Sequence, residues 1–222
     1  MPEATGWEKV YRERGDFQGY FRVLPKIKNK VPVFHARGYH RILDLACGTG
    51  RHTLYLAGRG FEVYATDVSR TALKMAEAKA ENLGLNNIHF LEHDMRSIPF
   101  ADGLFDAVIC TLAIHHGLAS QIRQTVNEIY RVLKDGGMVI TDMPSVTTEG
   151  VGNGKEIEKN TYLLVHADAE EDVPHHYTTR EEVNDYFRDF QKLFVRLMTY
   201  NYTGRKDGKK HFSKRYYITA VK

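Results

Sequence analysis

Asp44, Asp67 and Asp94 share one setting in this chain: each lies at or just beyond the end of a short apolar run that reads as a strand. Carboxylates held there can accept charge-assisted hydrogen bonds from a ligand or balance a cationic one. The first acid leads into a turn, LDLACGTGRH over residues 43–52. Its Gly48 and Gly50 let backbone approach a ligand and adopt the φ > 0 conformations other residues avoid. Two adjacent pairs, His115-His116 and His175-His176, add imidazoles whose ordinary titration near pH ~6.5 suits proton transfer. Each feature also has a plain structural reading, in which Asp44 caps a turn, Asp67 opens a helix, Asp94 is a loop acid and the histidines only support the site. Acids recurring after the first, second and third strands favour one shared ligand crevice. Four histidines raise the question of metal, but adjacent pairs are expected to point apart and no spaced ligand set is visible, so none is expected.

The elements that must position these residues follow from the apolar pattern. From Arg41 onward short β-branched runs alternate with stretches of helical period, the mark of βαβ units in a parallel sheet. Strands are expected at 40–46, 61–67, 87–94, 104–111 and 137–143. Helices are expected over 50–60, over 69–84 with Ser69 as its cap, and over 121–137 with Ile122, Val126, Ile129 and Leu133 on one face. Beyond Pro144 the polar, Gly- and Thr-rich stretch 146–160 lacks any period and reads as a loop or insertion. A short strand at 161–167, an acidic turn at 168–172 and the loop VPHHYT follow. Thr179 with Glu182 forms a capping box for a helix to about Arg188. Segments 192–202 and 214–222 read as an antiparallel hairpin on the sheet edge. The expectation is an α/β, doubly wound, mostly parallel seven-stranded sheet with a C-terminal antiparallel hairpin. It is one domain: a helical N-terminal cap over 1–38, a ligand-binding core over 39–143, an insertion over 144–177, and a closing helix and hairpin over 178–222.

Composition bounds the class. The chain has 222 residues, 42% hydrophobic and 27% charged, which is globular composition with enough apolar residues for one core. Its N-terminus has acids among its bases and no apolar run, and no later segment approaches the ~18 apolar residues of a membrane span. A cytoplasmic protein without membrane contact is expected, with Cys47 and Cys110 as thiols lining the site or the core. The net charge of +3 is mild, and Arg205, Lys206, Lys209, Lys210, Lys214 and Arg215 read as a solvated basic turn between the last strands.

Residues 43–52 resemble the cofactor loop of the class I S-adenosylmethionine-dependent methyltransferases, and the motifs after it continue the resemblance. It implies that Asp44, Ala46, Cys47, Gly48 and Gly50 hold the methionine end. Asp67 would receive the ribose hydroxyls, with Val68 under the adenine; Asp94 and the Met95 N–H would receive the adenine edge; Thr111 and Leu112 would border cofactor and acceptor. S-adenosylhomocysteine would then be the product. A dinucleotide fold would use a similar turn, but Thr53 stands where its third small residue belongs. Asp44 also suits a cationic amino acid better than a pyrophosphate.

The acceptor side is less legible. His115, His116, His175 and His176 are candidate bases, and Trp7, Tyr11, Tyr20 and Tyr177 are candidate lid or acceptor residues with aromatic faces for a sulfonium. A nucleophilic N, O or S atom of a small molecule is the expected acceptor. An RNA or protein acceptor, or cofactor binding without turnover, are the alternatives. Nucleic acid is disfavoured, because Thr111-Leu112-Ala113-Ile114 replaces the Asn/Asp-Pro-Pro-aromatic turn of amine methyltransferases acting on it. The assembly is expected to be a monomer or homodimer.

Overall fold

The computed structural model describes residues 6–16, 22–164, 172–203 and 208–222. Five parallel strands make the centre of the sheet: β1 (Arg41–Leu45), β2 (Glu62–Asp67), β3 (Ile88–Glu92), β4 (Phe105–Cys110) and β5 (Leu133–Pro144). The helices α4 (Arg51–Ala57), α5 (Arg70–Asn82) and α6 (Ala119–Val132) make three of the crossovers. An antiparallel pair, β9 (Lys192–Thr203) and β10 (Lys210–Val221), extends the edge beyond β5, giving the order β3-β2-β1-β4-β5-β10-β9. The order reverses between β1 and β4, so their carboxyl ends frame the crevice where open α/β sheets take ligands. The expected seven-stranded, mostly parallel sheet is present.

Among the described residues, alternate residues of the central strands fill two large cores, one on each face, and Cys47, Ala65 and Leu73 form a small third cluster. Leu43, Val108 and Val139 meet Ile122, Val126 and Ile129 of α6, together with Phe187 and Tyr186 at the end of α7 (Arg180–Tyr186). Ile42, Ala107, Ile109 and Ile140 meet Leu56 of α4 and Ile27 and Phe34 of α2 (Pro25–Lys28) and α3 (Val31–Ala36). Each fully buried aliphatic side chain contributes roughly 1.5–3 kcal/mol, so the period-2 pattern itself holds both layers to the sheet. Among the described residues, the N-terminal segment is helical as expected, in α1 (Gly6–Arg14), α2 and α3.

Three sequence expectations are corrected. α6 ends at Val132, and Leu133 is already in β5, opposite Phe105, with a bulge before Met138 meets Ala107. Leu133 still enters the same core, which is why it fitted the helical face on paper. The stretch 146–160 is not wholly a loop, because β6 (Lys155–Glu158) pairs antiparallel with β7 (Thr161–Leu163), which pairs with β8 (Pro174–His176). His175 and His176 therefore sit on a strand. The third correction is to the basic turn: Arg215 lies on β10, and its side chain is only 14% exposed. Arg205 and Lys206, and the acidic turn apart from Asp172, lie outside the described residues.

The small sheet is fastened to the carboxyl end of the large one. Thr178 N–H donates to Pro144 O at 2.7 Å and His176 N–H to His115 O at 2.9 Å, while Glu158 accepts from the Ala119 N–H that opens α6. The capping box survives in α7: Thr179 Oγ1 accepts from Glu182 N–H, and the Glu182 carboxylate accepts from Thr179 N–H.

Candidate active site

A cavity of about 680 Å³ opens at the carboxyl ends of β1, β2 and β4, within the size range of small-molecule sites. Ala46, Gly48 and Gly50 all take positive φ, at 57°, 56° and 82°, so the turn after β1 curls its backbone around the cavity rim. A Cβ on Gly48 would lie 2.6 Å from the Tyr11 hydroxyl, and one on Gly50 would lie 3.0 Å from Ala76 Cβ on α5. Glycine is needed at the first for close approach of α1 and at the second for packing.

Asp67 closes the turn. Its Oδ2 accepts the Gly48 N–H at 2.8 Å and its Oδ1 the Ser69 N–H at 2.9 Å. Burial pushes its carboxyl upward, against these backbone donors. A carboxylate has about four acceptor positions, so both oxygens can still receive hydroxyls from a ligand. Asp44 is buried beneath the turn, takes the Thr53 hydroxyl at 2.6 Å, and is raised by burial to about 6. Asp94 lines the cavity too, and Arg96 grips it through its backbone N–H and its guanidinium, which holds the acid low. Val68, Met95, Thr111 and Leu112 line the same cavity, as does Cys47; Cys110 is buried in the core.

Helix α1 lies across the cavity. Its Glu8 carboxylate accepts from Ser69 Oγ at 2.7 Å and from the Thr71 N–H and hydroxyl at 3.1 and 2.7 Å, at the start of α5. Burial alone would raise this acid, but the donors on Ser69, Thr71 and Arg12 bring it to about 2. Asp16 adds a second clasp, to the Thr49 hydroxyl at 2.8 Å and to Lys79 Nζ at 2.6 Å. Trp7 and Tyr11 are thereby set into the cavity wall, and the Trp7 and His116 rings are 4.8 Å apart. Tyr20 lies outside the described residues.

The four histidines divide. His116 reaches the main cavity. His115 and His175 stand behind it, in a second cavity of about 140 Å³ that Tyr177 and Arg215 also line. His176 reaches neither: it is fully buried, with Nδ1 2.7 Å from the Thr161 hydroxyl and Nε2 3.6 Å from Glu182, and braces the small sheet against α7. The rings of His115, His116 and His175 also do not point apart. Their centroids are 4.0 Å (His115 to His116), 4.8 Å (His116 to His175) and 6.0 Å (His115 to His175) apart. Burial is the main cause that pushes all three below the ordinary imidazole range, His175 to about 4, with Arg215 adding to it, so they are neutral near pH 7.

Sequence reasoning missed the ionic group behind this wall. Asp142 on β5 pairs with Lys26 of α2 and with Arg215, whose Nη2 is 2.7 Å away. Burial would raise Asp142, but the two cations hold it at about 2. An acid inside the apolar run VITDM was the available signal. His52, turned toward Thr111 at 3.4 Å and lowered by burial to about 3, was missed as well, as was Arg96.

Residues 42–137 match the methyltransferase domain family. The protein named methyltransferase YqeM of Bacillus subtilis (strain 168) is 40% identical over 142 residues, covering 63% of this chain and 55% of that one. The demethylmenaquinone methyltransferase of Thermus thermophilus is 43% identical over 107 residues, 47% of each chain. The chain spans about half the length of the curated relatives it matches. A solved structure described as an S-adenosylmethionine-dependent methyltransferase from Methanosarcina mazei has the same fold, with a TM-score of 0.68 at 21% identity over 90% of this chain and 98% of its own. Residues 42–137 are thus similar to a methyltransferase domain, and the whole sheet has the fold of that solved structure.

Proposed function

We propose that the protein transfers a methyl group from S-adenosylmethionine to a nucleophilic N, O or S atom of a small molecule. The observation that carries this reading is the main cavity, whose one side is the turn at Ala46–Thr49 with Asp67 and Asp94, and whose other side is Trp7, Leu112 and His116. The first side suits the cofactor. Backbone curled at positive φ admits its methionine end, and Asp67 keeps acceptor capacity for hydroxyls. Asp94 and Met95 lie where an adenine edge would be read, with Arg96 ordering the acid. Asp44, raised to about 6 by burial, sits under the end that would carry the cationic amino group.

When bound, the sulfonium supplies an electrophilic methyl group, and the chain's contribution is alignment and exclusion of water. α1, clasped through Glu8 and Asp16, closes the cavity over that reaction. His116, neutral and facing the cavity, offers a lone pair to an acceptor that arrives protonated. A relative named for demethylmenaquinone supports a small acceptor, as does a cavity of small-molecule size; we expect the protein to act in the cytoplasm. Isothermal calorimetry with S-adenosylmethionine, S-adenosylhomocysteine and NAD tests the first half, followed by transfer of labelled methyl to a panel of amines, phenols and thiols. Micromolar binding of the first two and none of NAD is expected. Absence of binding by both sulfur ligands overturns the reading, and binding without transfer to any acceptor leaves a non-catalytic binder.

A further inference from the structure

The three histidines at the acceptor end are arranged for more than proton transfer. Each of His115, His116 and His175 offers one ring nitrogen, and these three atoms lie within 4.8 Å of one another. Three imidazoles on one zinc ion at about 2.0–2.1 Å would hold their nitrogens roughly 3.4 Å apart, so side-chain adjustments of about an ångström close the set. The backbone that carries them is already tied together, since His176 N–H donates to His115 O and joins β8 to the turn after β4. His115 and His116 come from that turn and His175 from the small sheet, so the cluster exists only when the two parts dock.

We propose that His115, His116 and His175 form a binding site for a divalent transition metal, with an open coordination position facing the main cavity through His116. Three neutral imidazoles with one vacant position is the ligand set of catalytic zinc, and imidazole also suits cobalt, nickel and copper. The proposal rests on the methyltransferase reading and narrows its acceptor to a thiol, phenol or other hydroxyl able to become a metal ligand. With the metal bound, His116 is a ligand instead of a base, and an acceptor X–H loses its proton to water on coordination. The X–methyl bond then forms as the methyl–sulfur bond breaks, and the electron pair of that bond returns to sulfur as a neutral thioether. Arg215 is the opposing charge: its Nη2 is 3.3 Å from His115 Nδ1. Asp142, which accepts from Arg215 Nε at 2.8 Å and also pairs with Lys26, offsets part of the positive charge beside His115.

The test uses chelator-stripped full-length protein titrated with Zn²⁺ by calorimetry and with Co²⁺ by visible absorption. One equivalent of each, with the intense d–d bands of four- or five-coordinate cobalt, is expected. His116→Ala and His175→Ala should lose more affinity than the roughly 10–100-fold that outer-shell changes cost. His175→Gln serves if the alanine variant fails to fold, and S-adenosylhomocysteine binding certifies the fold of each. Less than a tenth of an equivalent bound by the wild type overturns the proposal. So does uptake that persists unchanged in both variants, which would mark adventitious binding. If S-adenosylhomocysteine binds and the metal does not, the metal site alone fails; the reverse result removes the methyltransferase reading.

Discussion

Asp67 is committed twice before any ligand arrives, to the N–H groups of Gly48 and Ser69. It therefore both shapes the turn and faces the cavity, and its removal should be felt in both. Asp67→Ala is expected to weaken S-adenosylhomocysteine by roughly 10- to 100-fold for each lost hydrogen bond to its charge, at about 1.5–3 kcal/mol apiece. Calorimetry reads this directly, and an unchanged Kd would remove Asp67 from the site. The cysteines give a second test at this scale. Cys47 lines the cavity at 9% exposure, whereas Cys110 is completely buried in the core. Burial raises both thiols, so alkylation is slow at neutral pH. Cys47 is expected to be modified first and to be protected by S-adenosylhomocysteine, and Cys110 only on unfolding. Peptide mass spectrometry over time distinguishes them; equal rates with and without ligand would count against the placement.

At the scale of elements, α1 is the part whose position a simple measurement can follow. It holds Trp7, the one tryptophan of the chain, and its Glu8 docks on the first turn of α5. The Glu8 carboxyl is held at about 2, below its ordinary 4.5. A group depressed on folding lends stability above the ordinary value and loses it as pH falls through the depressed one. The clasp should thus be complete above pH 4.5 and release as the pH approaches 2. Trp7 emission is expected to shift to the red over that window in the wild type. In Glu8→Ala it should be shifted already at neutral pH, and coincident titrations of the two proteins would exclude the clasp.

For the whole molecule, the buried group of Lys26, Asp142 and Arg215 joins three distant parts of the chain: the N-terminal helices, β5 and the closing hairpin. Removing one partner of a buried ion pair leaves uncompensated charge and costs about 3–5 kcal/mol. Asp142→Ala strands two cations, so denaturant unfolding should report a loss of that order. Asp142 Oδ1 also lies 3.4 Å from the Leu112 N–H, next to the cavity, so cofactor affinity should fall with stability. A variant as stable as the wild type would show that hydration, not Asp142, carries the two positive charges.

The sequence by itself determined the layers, the strand-end acids and the glycine turn, because these depend on local signals: short, nearly continuous buried runs in β1, β4 and the second half of β5, a side-chain cap at Ser69, and glycines where φ is positive. The partition of the histidines was decided only by tertiary structure. His115, His116, His175 and His176 look alike along the chain. Their environments come from the pairing of β7 with β8 and from the docking of β8 beside the turn after β4, contacts separated by up to about sixty residues. The same holds for Arg215, one of six bases in the basic C-terminal segment, which turns inward because Asp142 lies on the neighbouring strand, with Pro144 rather than Asp142 directly opposite in register. Short strands such as β6 and β8 carry too few residues to show a period, and a buried charge is recognised only when its partner is known.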